Sequence, residues 1–312
     1  MNAQELDELI TKYSGILNNF EGENLARRFR ALFSLKGLGT DRCIEEMGKA
    51  FADSSELLKH EVAYCLGQTK SEKALEILKN CLNDMKQEPV VRHEAVEAIG
   101  AIGPPDYLEM LKELAANDRD IEVRETAELA FDKIKFLEEH PDKQHLMKNR
   151  FNSVDPAPRS EEEDVAKLSK ALMNTELSLF DRYRAMFGLR DVLPKMKTEA
   201  ERNECIEALL SGFKETKSAL FRHEIAFVFG QLGEEGSHAT GRLVQVVDDE
   251  LEHGMVRHEA AEALGNMSSD VASECLKKHR TSSAQILRES CEVALDQSEY
   301  YESNTQFQPI SA

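Results

Sequence analysis

VVRHEAVEAIG at residues 90–100 recurs as MVRHEAAEALG at residues 255–265. Working outward from this pair, the rest of the chain proves to be doubled as well. LLKHEVAYCLGQ (57–68) returns as ALFRHEIAFVFGQ (219–231), IEVRETAELAFD (121–132) as ILRESCEVALD (286–296), and FRALFSLKGL (29–38) as YRAMFGLRDV (183–192). One basic residue marks each unit: Arg30, Lys59, Arg92 and Arg124 in the first half, Arg184, Arg222, Arg257 and Arg288 in the second. Matched markers lie 154, 163, 165 and 164 residues apart, so the halves are copies. Self-similarity at a period near thirty residues is the signature of stacked supersecondary units.

Within a unit the apolar residues follow helical spacing, as Ala95, Ile99 and Ile102 do, and period-2 alternation is missing. A unit of this length holds two helices. A single amphipathic helix cannot bury its own stripe, so hairpins stack against their neighbours. The expected fold is all-α: an α-solenoid of eight HEAT-like helical hairpins in two pseudo-symmetric four-repeat halves, residues 1–136 and 165–297. Between them, residues 137–164 contain Pro141, Pro156, Pro158 and the charge run Glu161–Asp164, the marks of a solvated connector. Residues 298–312 lack helical periodicity and are expected to form a disordered tail.

The 312 residues carry 58 acidic against 39 basic side chains, a net charge of −19. Such a field disfavours nucleic acid, whose phosphates need clustered bases, and disfavours anionic membranes; it attracts a basic partner. The start MNAQELDELI has no signal-peptide pattern, and no apolar run approaches a bilayer span. The six cysteines, Cys43, Cys65, Cys81, Cys205, Cys275 and Cys291, contain no Cys-x-x-Cys pair, which argues for reduced thiols over a disulfide framework or thiolate zinc site. A monomeric, cytoplasmic protein is expected.

Four of the nine histidines are followed by glutamate: His60-Glu61, His93-Glu94, His223-Glu224 and His258-Glu259. Each pair follows the marker residue of its unit, and each histidine precedes a glycine by seven residues, at Gly67, Gly100, Gly230 and Gly265. Only the two central units of each half carry the pair; the outer units place Ala31, Glu125, Ala185 and Glu289 at the histidine position. The scaffold therefore does not demand histidine there. Equivalent positions of successive repeats line one face, so facing halves bring four imidazoles and four carboxylates to one place. That is two sets of two histidines and a carboxylate, the composition of non-haem Fe(II) centres, while the lack of a matched cysteine disfavours zinc. Adjacent helical residues diverge by about 100°, so one glutamate pair ligates and the other points into the cleft. Spacing leaves open whether the ligands are Glu94 and Glu259 or Glu61 and Glu224.

A lone His-Glu on a helix is ordinarily an ion pair or a satisfied core histidine; four in register, absent from the flanking units, argue for function. The glycines read as helix C-caps or close-packing positions, and the marker bases as structural partners of acids in the next hairpin. His140, His145, His238, His253 and His279 match no repeat position and are expected to be solvated. Tyr64, Phe227 and Phe229 read as core or cleft wall.

With these motifs in hand, the chain resembles the deoxyhypusine hydroxylases, a family of HEAT-repeat di-iron monooxygenases. The four His-Glu pairs, the two RHEA-x-EA-[IL]-G sequences at 92–100 and 257–265, and NSVDPAP at 152–158 carry the resemblance, which extends from about residue 20 to about residue 298. It implies O₂-dependent hydroxylation of the deoxyhypusine side chain of translation initiation factor 5A to hypusine. It further implies two iron ions, one held by His60, His93 and Glu94 and the other by His223, His258 and Glu259. Glu61 and Glu224 would then engage the substrate amines. Two other readings predict different behaviour: a metal-free scaffold that binds a basic protein, and a HEAT-like lyase of the phycobilin type, which leaves the His-Glu symmetry without a purpose.

Overall fold

The computed structural model describes residues 2–267 and 269–302, and among these there is no strand. Sixteen α-helices follow one another as pairs: α1 (Ala3–Leu17) with α2 (Leu25–Leu38), α3 (Asp41–Gly48) with α4 (Glu56–Gln68), α5 (Leu75–Asn83) with α6 (Pro89–Ile102), and α7 (Leu108–Asn117) with α8 (Ile121–Glu139). The second half repeats the order with α9 (Val165–Met173) and α10 (Leu179–Val192), α11 (Glu199–Leu210) and α12 (Ala219–Leu232), α13 (Thr240–Asp248) and α14 (Gly254–Gly265), then α15 (Asp270–His279) and α16 (Gln285–Glu302). Starts are set by side-chain caps: Ser55 accepts from the Leu58 amide, Ser178 from Asp181 and Ser218 from Phe221, each satisfying an N–H that has no partner within the helix. α2 and α6 stop at Gly39 and Gly103, both left-handed.

The even-numbered helices form the inner layer. Each packs on the next, and α16 returns to pack on α2 and α4, so the solenoid closes on itself as a ring. Two hydrophobic cores run through it, one per half, and each borrows from the other half's last inner helix: Ile286 of α16 joins the first core and Leu129 of α8 joins the second. The histidine-position residues of two outer units are latches across these seams. Glu289 accepts from the Ser55 hydroxyl at 2.9 Å and the Leu57 amide at 3.2 Å, and Glu125 accepts from the Ser218 hydroxyl at 2.7 Å.

Three marker bases pair with acids in the turn before the next inner helix: Lys59 with Glu88 at 2.5 Å, Arg92 with Asp118 and Asp120 at 2.5 and 2.6 Å, and Arg222 with Glu252 at 2.6 Å; Arg124, Arg257 and Arg288 instead donate to the backbone carbonyls of Asp118, Val247 and Ser282. In the first unit of each half the register needs correction. Counted from the caps Asn24 and Ser178, the equivalent residues are Arg28 and Arg182, not Arg30 and Arg184. Arg28 binds Asp53 and Arg182 binds Glu215, while Arg30 instead bridges to Asp296 across the ring seam. The Arg-x-Arg sequence offered both choices, and only the cap distinguishes them. Phe29 and Tyr183 thus occupy the histidine position, replacing Ala31 and Ala185.

The connector differs from expectation. Its acidic run is solvent-facing, but Asp155, Pro156, Ala157 and Pro158 are buried. Gln68 accepts from the Val154 amide at 3.0 Å, its counterpart Gln231 donates to Ser153 Oγ at 2.9 Å, and fully buried Arg190 binds both Asp155 and Gln231 at 2.8 Å. The segment is pinned to both halves. The helix α16 also continues through Glu302, past Ser298 where the tail was expected to begin; residues 303–312 lie outside the described residues.

Candidate metal centre

The ring brings α4 and α6 face to face with α12 and α14. All four histidines project into the gap and are buried, His93 and His258 completely. Ring centroids lie 5.6 Å apart for His60 and His93, 5.4 Å for His223 and His258, and 5.2 Å for His60 and His258 across the halves. Close approach of the helices makes this possible. A Cβ on Gly67 would meet Ala98 Cα at 2.7 Å, one on Gly100 would meet Ala130 Cβ at 2.6 Å, and one on Gly265 would meet Ala294 Cβ at 2.8 Å. These glycines are packing positions.

Glu94 and Glu259 each reach back to the histidine of the preceding unit, with Nε2 to Oε2 distances of 3.3 Å to His60 and to His223. Donor atoms of His60, His93 and Glu94 fall within 4.8 Å of one another, as do those of His60, His223 and His258. Donor atoms of His258, Glu259 and Glu262 likewise fall within 4.8 Å of one another, with His258 Nδ1 3.4 Å from Glu262 Oε1. Glu61 and Glu224 are buried beside these groups, and Oε1 of Glu224 has no hydrogen-bond partner. Tyr64 and Phe227 face each other across the halves with ring centroids 6.4 Å apart, forming wall, whereas Phe229 lies in the core against Phe213.

Electrostatics single out the centre. Burial opposes charge on every imidazole; at His60 the Glu94 carboxylate overrides it and pushes the pKa up to about 10. Burial, then neighbouring rings, hold His93 and His258 well below the usual range, and burial with His60 holds His223 down to about 3. Burial, reinforced by other carboxylates, pushes Glu61 up to about 8 and raises Glu224 and Glu259. So many acids crowded in a dry site call for a cation. Seven of the eight nitrogens of these four rings, all but His258 Nδ1, are buried without a hydrogen bond; Nε2 of His60 and of His223 have only the 3.3 Å carboxylate contacts, and the other five have no partner. Buried polar atoms are almost always satisfied, so such a cluster points to an ion that fills it.

Sequence reasoning missed Glu97 and Glu262, four residues after His93 and His258 and so on the same helix face. Both are half-buried; Glu262 accepts from Ser290 at 3.2 Å, and burial followed by Glu94 pushes Glu97 up to about 8. The repeated pattern RHEA-x-EA held the signal. Buried Lys133 and Asp155 also flank the site from α8 and the connector; no local motif marks either. Among the histidines expected to be solvated, two are half-buried: His279, 2.6 Å from Asp248, and His140, whose ring centroid lies 4.8 Å from that of Phe136.

The fold and site define a closed HEAT-repeat ring around a histidine and carboxylate centre fitted to metal. Comparison with known proteins gives the family. HEAT-repeat family models match residues 80–132 and 206–296, and a model for the PBS lyase HEAT-like repeat matches residues 58–84. The deoxyhypusine hydroxylase of Bos taurus is 45% identical over 91% of this chain and 89% of its own length, and that of Drosophila melanogaster is 45% identical over 96% and 94%. The structure of human deoxyhypusine hydroxylase in complex with glycerol superposes with a TM-score of 0.88 at 42% identity, covering 96% of this chain and 98% of that one. This chain belongs to the deoxyhypusine hydroxylase family, and it is an enzyme. Among the described residues no helix is long and apolar enough to cross a membrane.

Proposed function

We propose that the protein hydroxylates the deoxyhypusine side chain of translation initiation factor 5A to hypusine, using O₂ at a pair of iron ions. The carrying observation is the set of buried, unpartnered imidazole nitrogens gathered among buried carboxylates. The donor set fits iron: imidazole with hard carboxylate oxygen, and no thiolate in the groups at this centre. His60, His93 and Glu94 would hold one ion and His223, His258 and Glu259 the other. When bound, iron supplies the O₂-dependent oxidation that no side chain here can perform.

The remaining work belongs to the chain. Glu61 and Glu224 are one pseudo-symmetric pair, buried and free of the 3.3 Å histidine contacts that occupy Glu94 and Glu259. As carboxylates they would accept charge-assisted hydrogen bonds from the amines of a long cationic side chain and so fix which carbon faces the metals. Burial of the centre keeps bulk water away, and Tyr64 with Phe227 supports the aliphatic part of the substrate. The acidic surface attracts a basic protein. We place this activity in a cytoplasmic monomer.

The test is iron content and hypusine formation measured together. Wild-type protein loaded anaerobically with Fe(II) is expected to hold about two irons per chain and to convert the deoxyhypusine form of the factor; His93→Ala loses both. Glu61→Gln keeps its iron and loses conversion. Wild-type protein that takes up no iron and leaves the substrate unchanged would overturn the proposal.

A further inference from the structure

A second group of metal-type donors lies away from this centre, on the outer layer. Cys275 and His279 are four residues apart on α15 and therefore share one face, and Asp248 ends α13, the helix packed beside it. One donor atom from each of the three lies within 4.8 Å of the others. His279 Nε2 is 2.6 Å from Asp248 Oδ1, and the thiol is buried beneath them. Asp248 and His279 are the last residues of their helices, so two C-terminal ends, each with partial negative charge and carbonyls lacking intrahelical partners, converge where a cation would sit.

We propose that Asp248, Cys275 and His279 form a binding site for a divalent transition metal of the zinc class, distinct from the His-Glu centre. Thiolate, imidazole and carboxylate from three residues are the donors of an open tetrahedral site, with water in the fourth position. Binding displaces the proton of the Cys275 thiol to solvent, and the imidazole turns to its Nδ1–H tautomer so that Nε2 offers its lone pair. Lys278 Nζ, now 2.7 Å from Asp248 Oδ1, is the competitor. A carboxylate has room for both a metal and an ammonium, though weaker for each. An ion here ties the outer helices of the seventh and eighth hairpins, next to the seam where the ring closes.

Cobalt(II) is the probe, added to the iron-loaded enzyme. The groups at the His-Glu centre include no thiolate, so a thiolate-to-cobalt charge-transfer band in the near ultraviolet reports on the new site alone. One equivalent of Co²⁺ is expected to give this band with tetrahedral visible absorption. Both are lost in Cys275→Ser and in His279→Gln, and both survive in His93→Ala. Lys278→Ala, an exposed change that spares the fold, is expected to tighten binding by up to about fivefold, the worth of an exposed ion pair. Absence of the band in wild type at excess Co²⁺, or its persistence in Cys275→Ser, would overturn the site; unchanged affinity in Asp248→Asn would remove Asp248 from it.

Discussion

Alanine at Gly67 and at Gly230 should have opposite effects, although the two glycines occupy equivalent places in the two halves. Both lie inside inner helices, seven residues beyond a histidine of the centre, where alanine is intrinsically favoured over glycine by about 1 kcal/mol. At Gly67 the new methyl would stand 2.7 Å from Ala98 Cα and 2.8 Å from Ala98 Cβ. Comfortable carbon contacts lie near 3.5–4.0 Å, so α4 and α6 must part by roughly 1 Å. Backbone atoms cannot swing aside as a flexible side chain would, and overpacking of this kind costs about 1–3 kcal/mol. The net change for Gly67→Ala is a loss of roughly 0–2 kcal/mol. At Gly230 the same methyl meets Ala263 Cα at 3.5 Å, an ordinary contact, so Gly230→Ala should gain up to about 1 kcal/mol. Urea denaturation of the two single variants measures the difference directly. Iron retention adds a second readout, because parting α4 from α6 separates His60 from His93 and Glu94. Equal destabilisation by the two substitutions would refute the reasoning.

Three further outcomes follow from the site and its seams. In metal-free protein, His60 with its pKa up at about 10 and Glu61 and Glu97 at about 8 keep protons that the unfolded chain releases, so stability falls as pH rises from about 6.5 to 8. Melting temperatures across that window check this, and a rising melting temperature would contradict it. Glu289→Ala leaves the Ser55 hydroxyl and Leu57 amide without their acceptor and should cost about 1–3 kcal/mol in thermal or urea unfolding, with Glu125→Ala similar at the opposite seam. Arg190→Met strands buried Asp155 and should cost about 3–5 kcal/mol, a loss that Arg190→Met with Asp155→Asn partly restores when both are compared by urea denaturation.

The all-helical repeat was legible because each unit carries its own apolar spacing and its own marker residue. The His-Glu centre was legible because four pairs hold one register and the flanking units drop them. Local pattern did not reach what depends on ring closure. Glu125 and Glu289 were visible only as positions without histidine, yet they latch residues 93 and 234 positions away in the chain. The connector looked solvated by its prolines and charges, whereas its Asp155 is bound by Arg190, 35 residues on, and its Val154 by Gln68 of the first half, 86 residues back. Repeat alignment alone does not separate Arg28 from Arg30 or Arg182 from Arg184, because a shift of two places arginine on arginine. Glu97 and Glu262 lie inside the RHEA-x-EA repeat, where the adjacent His-Glu pair by itself accounts for the pattern.

The return of α16 onto α2 gives assembly of the chain a definite last act. Hairpins form from contacts with sequence neighbours and propagate along each half, but the seam joins residues separated by nearly the whole chain, as Arg30 and Asp296 are. His60 and His258 come within 5.2 Å of each other only in the closed circle. Each half carries three donors of its own, but the two sets are brought together as one centre only when the circle closes, so a chain still being synthesised cannot hold the complete centre. The same seam, with the longest loop to close and few covalent constraints, is where an opened minor state would release what the circle encloses.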